Sequence, residues 1–335
     1  MRPLLALVAA LLCASAAAAI GPEVLQPFRS IPPQIAGRFR EARGFQQSAT
    51  GQYYVFDRRA HMVYGVDQRF EGLWEIVQIG AEPGRVLDPT ALAVAPDGSF
   101  VVADAPNALA RIQVFTPAGF RIAGFAIDQA ARPRLMIGNM VTSGIASLQY
   151  TGTSILLSQP ETGALISEYT VTGQPSRAIG ALRRTGHEDD RDIHIALNSG
   201  IPLVAPSGGL WFVFQAGLPV FRRYGEGGDL QFERQMQGLE LDEVIATLPS
   251  TWPRNPLDGE LPLIRPTVRA ATVDRAGRLW VSFEAGFTYV FDADGDKVAV
   301  LRFRGAGEVS PTTLFFGNDN QLLVTPGLHE FVSPF

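Results

Sequence analysis

The residues best suited to chemistry crowd into one stretch, RRTGHEDDRDIHIALNSG at 183–200, where His187 and His194 stand among Glu188, Asp189, Asp190 and Asp192. Imidazole nitrogen and carboxylate oxygen together suit zinc or another divalent ion. His187, Asp190 and His194 are therefore candidate metal ligands, and Asp192 with His194 candidate ligand-binding groups. Against this, the two histidines are seven residues apart in what reads as a loop, with no helical i, i+4 register to aim both at one ion. A mixed charge run of this kind is commonly a solvated loop. No cofactor is assigned, a divalent metal being the one this stretch could take. A second acidic run, DADGDKV at 292–298, resembles the start of a calcium loop but lacks the distal bidentate glutamate that completes one. Its Asp-Gly pair between two apolar runs reads as a hairpin. Nucleophile-elbow, phosphate-loop and dinucleotide fingerprints do not occur.

A third candidate region is GLELDEVIATLPSTWPRNPLDGELPLIRP at 238–266. Leu239, Val244, Ile245 and Leu248 fall near helical spacing, and Pro249, Pro253 and Pro256 forbid continuation. A short helix followed by a proline-stiffened loop bearing Trp252 would sit over one rim of the fold, as a ligand wall or as cover for a sheet edge; the cover is the commoner arrangement. Arg265 and Arg269 flank the start of the next apolar run, where a guanidinium would favour an anionic ligand.

The elements that must position these residues are short strands. One unit, PDGSFVVADAPNALARIQVFTPAG at 96–119, follows an apolar run and has similar partners at 45–67, 145–170, 203–225, 270–292 and 313–332. In each, a first strand ends at a turn carrying Gly51, Gly98, Gly152, Gly208, Gly277 or Asn320, residues that tolerate positive φ. These turns are spaced by 47, 54, 56, 69 and 43 residues, so six units fill the chain, and the longest spacing contains the insert. Three units open on Pro-Thr, at Pro89, Pro266 and Pro311, where a missing N–H costs no ladder bond. Runs such as Trp211 to Phe214 would leave both faces of a small sheet apolar. Packing each sheet against the next, and bending the row into a circle, buries both. The predicted fold is all-β, a six-bladed β-propeller. Its last unit stops after three strands, so residues within 23–39 are expected to pair with the C-terminal blade and close the ring.

The opening MRPLLALVAALLCASAAAAIGPE has Arg2, an apolar run and a small-residue tract, the layout of a signal peptide over 1–19 cleaved near Ala19. One propeller domain is then expected over 20–335, exported to the periplasm or medium. Cys13 is the one cysteine of the chain, so the mature protein would have neither disulfide nor cysteine nucleophile. No later segment has 18 consecutive apolar residues, so no membrane span is expected in the mature chain. Net charge is −5, with no basic patch to suggest nucleic acid. A monomer is expected.

The second unit resembles an NHL repeat. DPTALAVAPDGSFVVADAPNALARIQVFTPAG has that family's Pro before the first strand, turn Gly98, the Val102–Asp104 ending, Asn107 in the hairpin, and Arg111 to Phe115 in the third strand. The resemblance is close for this unit and loose for the rest. It implies a propeller that binds ligands on one rim or acts as a hydrolase or lyase around a channel metal. Asp57 and Asp104 are the family's aspartate, expected to accept bonds from hairpin amides. The Glu-Gly-Pro motif of gluconolactonase-like relatives is present only reversed, as Gly21-Pro22-Glu23, and the several channel histidines of amidating-lyase and streptogramin-lyase types are not available from His61, His187, His194 and His329. The leading expectation is a non-catalytic propeller binding a peptide, protein or small ligand at one rim, with Asp192, His194, Trp252, Arg265 and Arg269 as its candidate contacts. The competing one is a metal-dependent hydrolase or lyase of the gluconolactonase or amidating-lyase type; a structural envelope component is a third.

Overall fold

The computed structural model describes residues 21–127, 134–137, 140–143, 145, 147–254 and 262–335. The leader expected at 1–19 lies outside the described residues. Among the described residues, six four-stranded antiparallel units follow one another along the chain. Blade 1 runs from Ala42–Gln47 through Tyr53–Asp57 and Met62–Val66 to Leu73–Val77, and blade 2 from Ala91–Val94 through Phe100–Asp104 and Arg111–Phe115 to Arg121–Ala126. Blade 3 begins with Leu148–Tyr150 and Ser154–Ser158, blade 4 with Gly200–Val204 and Leu210–Phe214, blade 5 with Val268–Val273 and Leu279–Phe283, and blade 6 with Thr313–Phe316 and Gln321–Thr325. The first strands touch one another in sequence, and blade 6 touches blade 1, so the row is a closed ring. The chain is a six-bladed β-propeller, as its repeats predict.

The second strand of each blade shows why a ring forms. Leu210–Phe214 is buried throughout, and its residues alternate between neighbours. Trp211 and Val213 pack with Leu279, Val281 and Phe283 of blade 5. Phe212 and Phe214 pack with Leu156 and Ile166 of blade 3. Period-two alternation thus divides one apolar strand between two interfaces, which a single sheet in water could not satisfy. The six first-turn residues all adopt left-handed backbone, φ running from 57° at Asn320 to 96° at Gly152, the tight turn that the glycines and asparagine permit.

Ring closure follows the expected route. Arg29–Ser30 pairs antiparallel with His329–Val332 as the fourth strand of blade 6, Arg29 opposite Glu330 and Ser30 opposite His329. Upstream of this, Glu23–Leu25 adds a parallel strand to the outer edge of blade 5, against Leu301–Phe303, a pairing that the sequence did not suggest.

Since strands alternate in direction, every connection from an outermost strand to the next innermost strand leaves on one face, here called upper, while the first-turn glycines lie on the lower. Among the described residues, three α-helices stand on these upper connections: α1 at Pro33–Ala36, α2 at Arg191–Asn198 and α3 at Leu239–Ala246. A hairpin of Arg134–Ile137 with Met140–Ser143 lies on the connection between blades 2 and 3. The three longest upper connections are therefore consecutive, between blades 2 and 3, 3 and 4, and 4 and 5. Helix α3 lies in the insert as expected, but not on the expected stripe. Leu239 is 83% exposed, while Leu241 is buried with Val244 and Ile245 against the core between blades 4 and 5. Tyr289 donates to Glu240 at 2.7 Å and holds α3 over that blade junction, the covering role.

Candidate functional site

The first strands of the six blades surround a channel of about 580 Å³. Among the described residues that line it, the charged ones are Arg43, Arg269 and Arg275, and none is Asp, Glu, His or Lys. Arg275 lies at the first turn of blade 5, on the lower face. Arg43 and Arg269 stand at the upper mouth. In both, the ladder to the second strand slips by one residue: Ala42 faces Asp57 and Gly44 faces Phe56, and likewise Val268 faces Phe283 and Ala270 faces Ser282. Each arginine is thus the extra residue of a β-bulge, a device that re-aims a side chain. Carboxylates outside the channel lining hold both. Glu41 accepts from Arg43 Nε at 2.7 Å. Glu284 takes Arg269 bidentately, through Nε and through Nη2 at 2.6 Å.

Arg43 and Arg269 occupy equivalent places, each eight residues before its blade's turn glycine, Gly51 and Gly277. The same offset gives Thr90, Gly144, Gly200 and Thr312 in the other units. Blades 5, 6, 1 and 2 therefore present Arg269, Thr312, Arg43 and Thr90 in order around the mouth, all four lining the channel. Blades 3 and 4 carry glycine there, Gly144 lying outside the described residues. At Gly200 a Cβ would sit 2.5 Å from the Phe212 ring and from the Val213 carbonyl oxygen, so the backbone itself fills this place. Thr312 and Thr313 hydroxyls both reach the Thr325 hydroxyl, at 3.0 and 2.6 Å.

The cap stands over the glycine side. The stretch at 183–200 is not a solvated loop throughout, because Arg191–Asn198 is helical. Asp190 caps it by accepting from Ile193 N at 3.3 Å, and the i, i+3, i+4 set Ile193, Ala196 and Leu197 is buried against Ala216 and Ile264. Arg183 pins the helix end from below: it donates to Leu197 O, Ala216 O and Leu218 O and lies over the Phe214 ring at 4.1 Å. Burial lowers this guanidinium to about 10, the nearby Arg222 acting the same way and Glu233 opposing both. The proline-rich loop then closes onto the helix. Arg254 pairs with Asp190 and, at 3.4 Å, with Asp192. Trp252 packs on the α2 cluster and meets His187 edge-to-face at 5.0 Å. Hydrogen bonding to Arg254 holds the Asp190 carboxyl below the ordinary range, against the effect of burial.

Of the residues singled out from the sequence, His187, Asp190, Asp192, His194 and Trp252 thus come together in the cap. They do so as an ion-paired and packed cluster. His194 Nδ1 bonds the Thr185 hydroxyl at 2.8 Å. Among the described residues no group of three or more His, Cys, Asp or Glu side chains could hold a metal ion. Arg269 lines the channel, while Arg265 is exposed and is not among its lining residues. Cap and channel meet at Gln215, which lines the channel: its amide donates to Ser199 O, and its carbonyl accepts from Thr267 N and Val268 N. The 292–298 run is a turn in which Asp292 Oδ1 accepts from Asp294 N and Asp296 N at 3.0 and 2.9 Å.

Sequence reasoning missed Arg43 and Arg254. The shared eight-residue offset from the turn glycine would have found Arg43. Asp57 anchors its hairpin as expected and does more, while Asp104 holds the incoming connection and an arginine of the next strand. Asp57 accepts from Ala60 N in its hairpin but also from Arg40 N and Glu41 N on the incoming connection. Asp104 accepts from Leu87 N and binds Arg111 at 2.6 Å.

No protein-family model matches the chain, and no curated protein sequence does. Solved structures do resemble it. A streptogramin B lyase superposes with a TM-score of 0.53 and 12% identity, over 87% of this chain and 92% of that one. Regucalcin from Agrobacterium tumefaciens str. C58, a calcium-binding protein, gives 0.50 at 13%, over 93% and 97%. A catalytically inactive virginiamycin B lyase from Staphylococcus aureus, with quinupristin, gives 0.50 at 14%, over 87% and 84%. At such identities the likeness is one of fold.

Proposed function

We propose that this protein is an exported, non-catalytic binding propeller that takes a ligand at the upper mouth of its channel. One observation carries the reading. Equivalent positions at the starts of four consecutive blades project arginine or threonine into the mouth, and the three longest connections stand on the same face over the remaining side. Rigid blades carrying loops clustered at one rim are a common way to build a binding surface, and a cavity of this size suits a small molecule or the tip of a peptide. The competing reading, metal-dependent hydrolysis or elimination in the channel, requires imidazoles and carboxylates converging on the axis. The described lining residues include none. Export rests on the leader, and mass measurement of the protein from the periplasmic fraction should find a chain starting near Ile20.

Thermal-shift screening of the mature protein against a panel of sugars, amino acids, short peptides and organic acids tests the binding. Ligand binding to the native state alone raises the midpoint. The expected result is a stabilising compound whose effect shrinks in Trp252→Ala, at the cap, and persists in Asp294→Ala, in a lower-face turn. A compound whose effect depends on the lower-face turn and not on the upper mouth would overturn the reading.

A further inference from the structure

We infer that the ligand carries an oxyanion, a carboxylate or a phosphate ester, bound at the mouth between Arg269 and Arg43 across the start of blade 6. This rests on the proposed binding at the upper mouth and adds the chemical class. Three features of the site point the same way. Every charged side chain among the described lining residues is cationic, so among these an anion meets no like-charged carboxylate. The two upper arginines are re-aimed by matching bulges, which an uninterrupted ladder would not require. Their carboxylate partners stand outside the lining, gripping Arg269 along its Nε and Nη2 edge and Arg43 through Nε. The guanidinium planes are thereby oriented in advance, and less rotamer freedom remains to be lost when an anion binds. Between the two arginines stand Thr312 and Thr313, whose hydroxyls form a network with Thr325. A hydroxyl donates to an oxyanion and accepts from its neighbour, so this network can turn toward a ligand without leaving a buried group unpaired. The start of blade 6 is thus a short arc of donors flanked by two fixed cations, and charge-assisted bonds of this type are the stronger class.

Isothermal titration of the mature protein with citrate and with inorganic phosphate separates the two oxyanions, with sucrose as a neutral control. The expectation is binding of at least one oxyanion and none of sucrose. Arg43→Gln and Arg269→Gln should each weaken it about tenfold or more, the loss of a hydrogen bond to a charged group, and raising the salt should weaken it further. Arg121→Gln, on the outer strand of blade 2, should leave it unchanged. Because either loss also breaks an ion pair, the exchange Arg269→Glu with Glu284→Arg keeps the pair and turns the channel-facing charge negative. It should abolish oxyanion binding with little change in melting midpoint. Unaltered binding in the exchanged protein, or no binding of either oxyanion by the parent, overturns the inference. If neither oxyanion binds while a neutral compound shows a Trp252-dependent thermal shift, binding at the mouth stands and only its oxyanion character is lost. If no compound depends on the mouth, both are lost.

Discussion

The two halves of the upper mouth are built from the same repeat position and do opposite things. Around blades 5, 6, 1 and 2 that position carries Arg269, Thr312, Arg43 and Thr90, side chains facing the channel. At blade 4 it is Gly200, whose backbone is packed against Phe212 and whose amide is taken by the Ser158 hydroxyl at 3.0 Å. The donor half has short connections, such as the one between Arg304 and Thr313, and the glycine half carries α2 and the insert above it. Side chain and cap are thus divided between the halves: helix α2 stands where the repeat position of blade 4 is glycine. The donor half is also where the ring closes, since the Arg29–Ser30 strand completes blade 6.

Forcing a side chain onto the glycine half should break this division most severely. Gly200→Val has to displace an aromatic ring and a carbonyl, both in the core, and overpacking of this kind costs about 1–3 kcal/mol or more. Denaturant titration should show a large fall in midpoint, whereas Thr90→Gly on the donor half should cost far less. A Gly200→Val protein of parental stability would show that the glycine is not required by packing.

Behind the donor half lies a group of the opposite character. Glu330 is fully buried at the closing interface, and neither carboxylate oxygen has a well-formed hydrogen bond, the Tyr53 hydroxyl reaching it only weakly. Burial raises its pKa above the ordinary range, with Tyr53 from blade 1 and Arg29 from the closing strand pulling the other way. In the pH interval between the ordinary and the raised value the native state holds more protons than the unfolded chain. Stability from this group is therefore full at low pH and is lost as pH rises through the folded value. Glu330→Gln removes the titration. Urea unfolding from pH 4 to pH 8 should show the variant gaining on the parent as pH rises. A constant difference across that range would mean that the carboxyl does not titrate in the interface.

The ring was legible in the sequence because it rests on local chemistry. Turn residues at regular spacing, proline before three first strands and runs apolar on both faces each have one physical reading, and together they leave little but a closed row of sheets. Even the closing segment followed, from a last unit one strand short. The mouth was less legible. His187 and His194 stand out by residue type, and the structure places one against Trp252 and the other in a bond to Thr185. Arg43 carries no motif, and its place at the mouth comes from a bulge, which a sequence does not announce. Helix α2 was hidden by its own charges: Glu188 to Asp192 look solvated, but Asp190 caps the turn while Ile193, Ala196 and Leu197 fill the gap above blade 4.

The cap offers a milder test. Asp190→Ala removes the N-cap acceptor of α2 and one carboxylate that pairs with Arg254, and caps of this type are worth about 1 kcal/mol. The loss should be local: amide exchange of 191–198 quickens while that of the blade strands stays as in the parent. Quickening throughout the ring would mean that the cap is part of the closure and not an addition to it.

The smallest effect expected is at Thr312, and it separates scaffold from site within the donor half. Its hydroxyl bonds both the hydroxyl and the carbonyl of Thr325, at 3.0 and 3.3 Å, and its backbone amide holds that same carbonyl at 2.7 Å. The backbone bond survives Thr312→Val, and the Thr313 hydroxyl still reaches Thr325 at 2.6 Å. Stability should therefore fall by no more than about 0.5–1.5 kcal/mol, the worth of one neutral hydrogen bond. If the hydroxyl also serves the ligand, citrate or phosphate affinity should fall several-fold in Thr312→Val and less in Thr90→Val, which lies beyond Arg43 and outside the arc. Equal small losses at both threonines would place the ligand on the arginines alone and reduce the hydroxyls to partners of the strand.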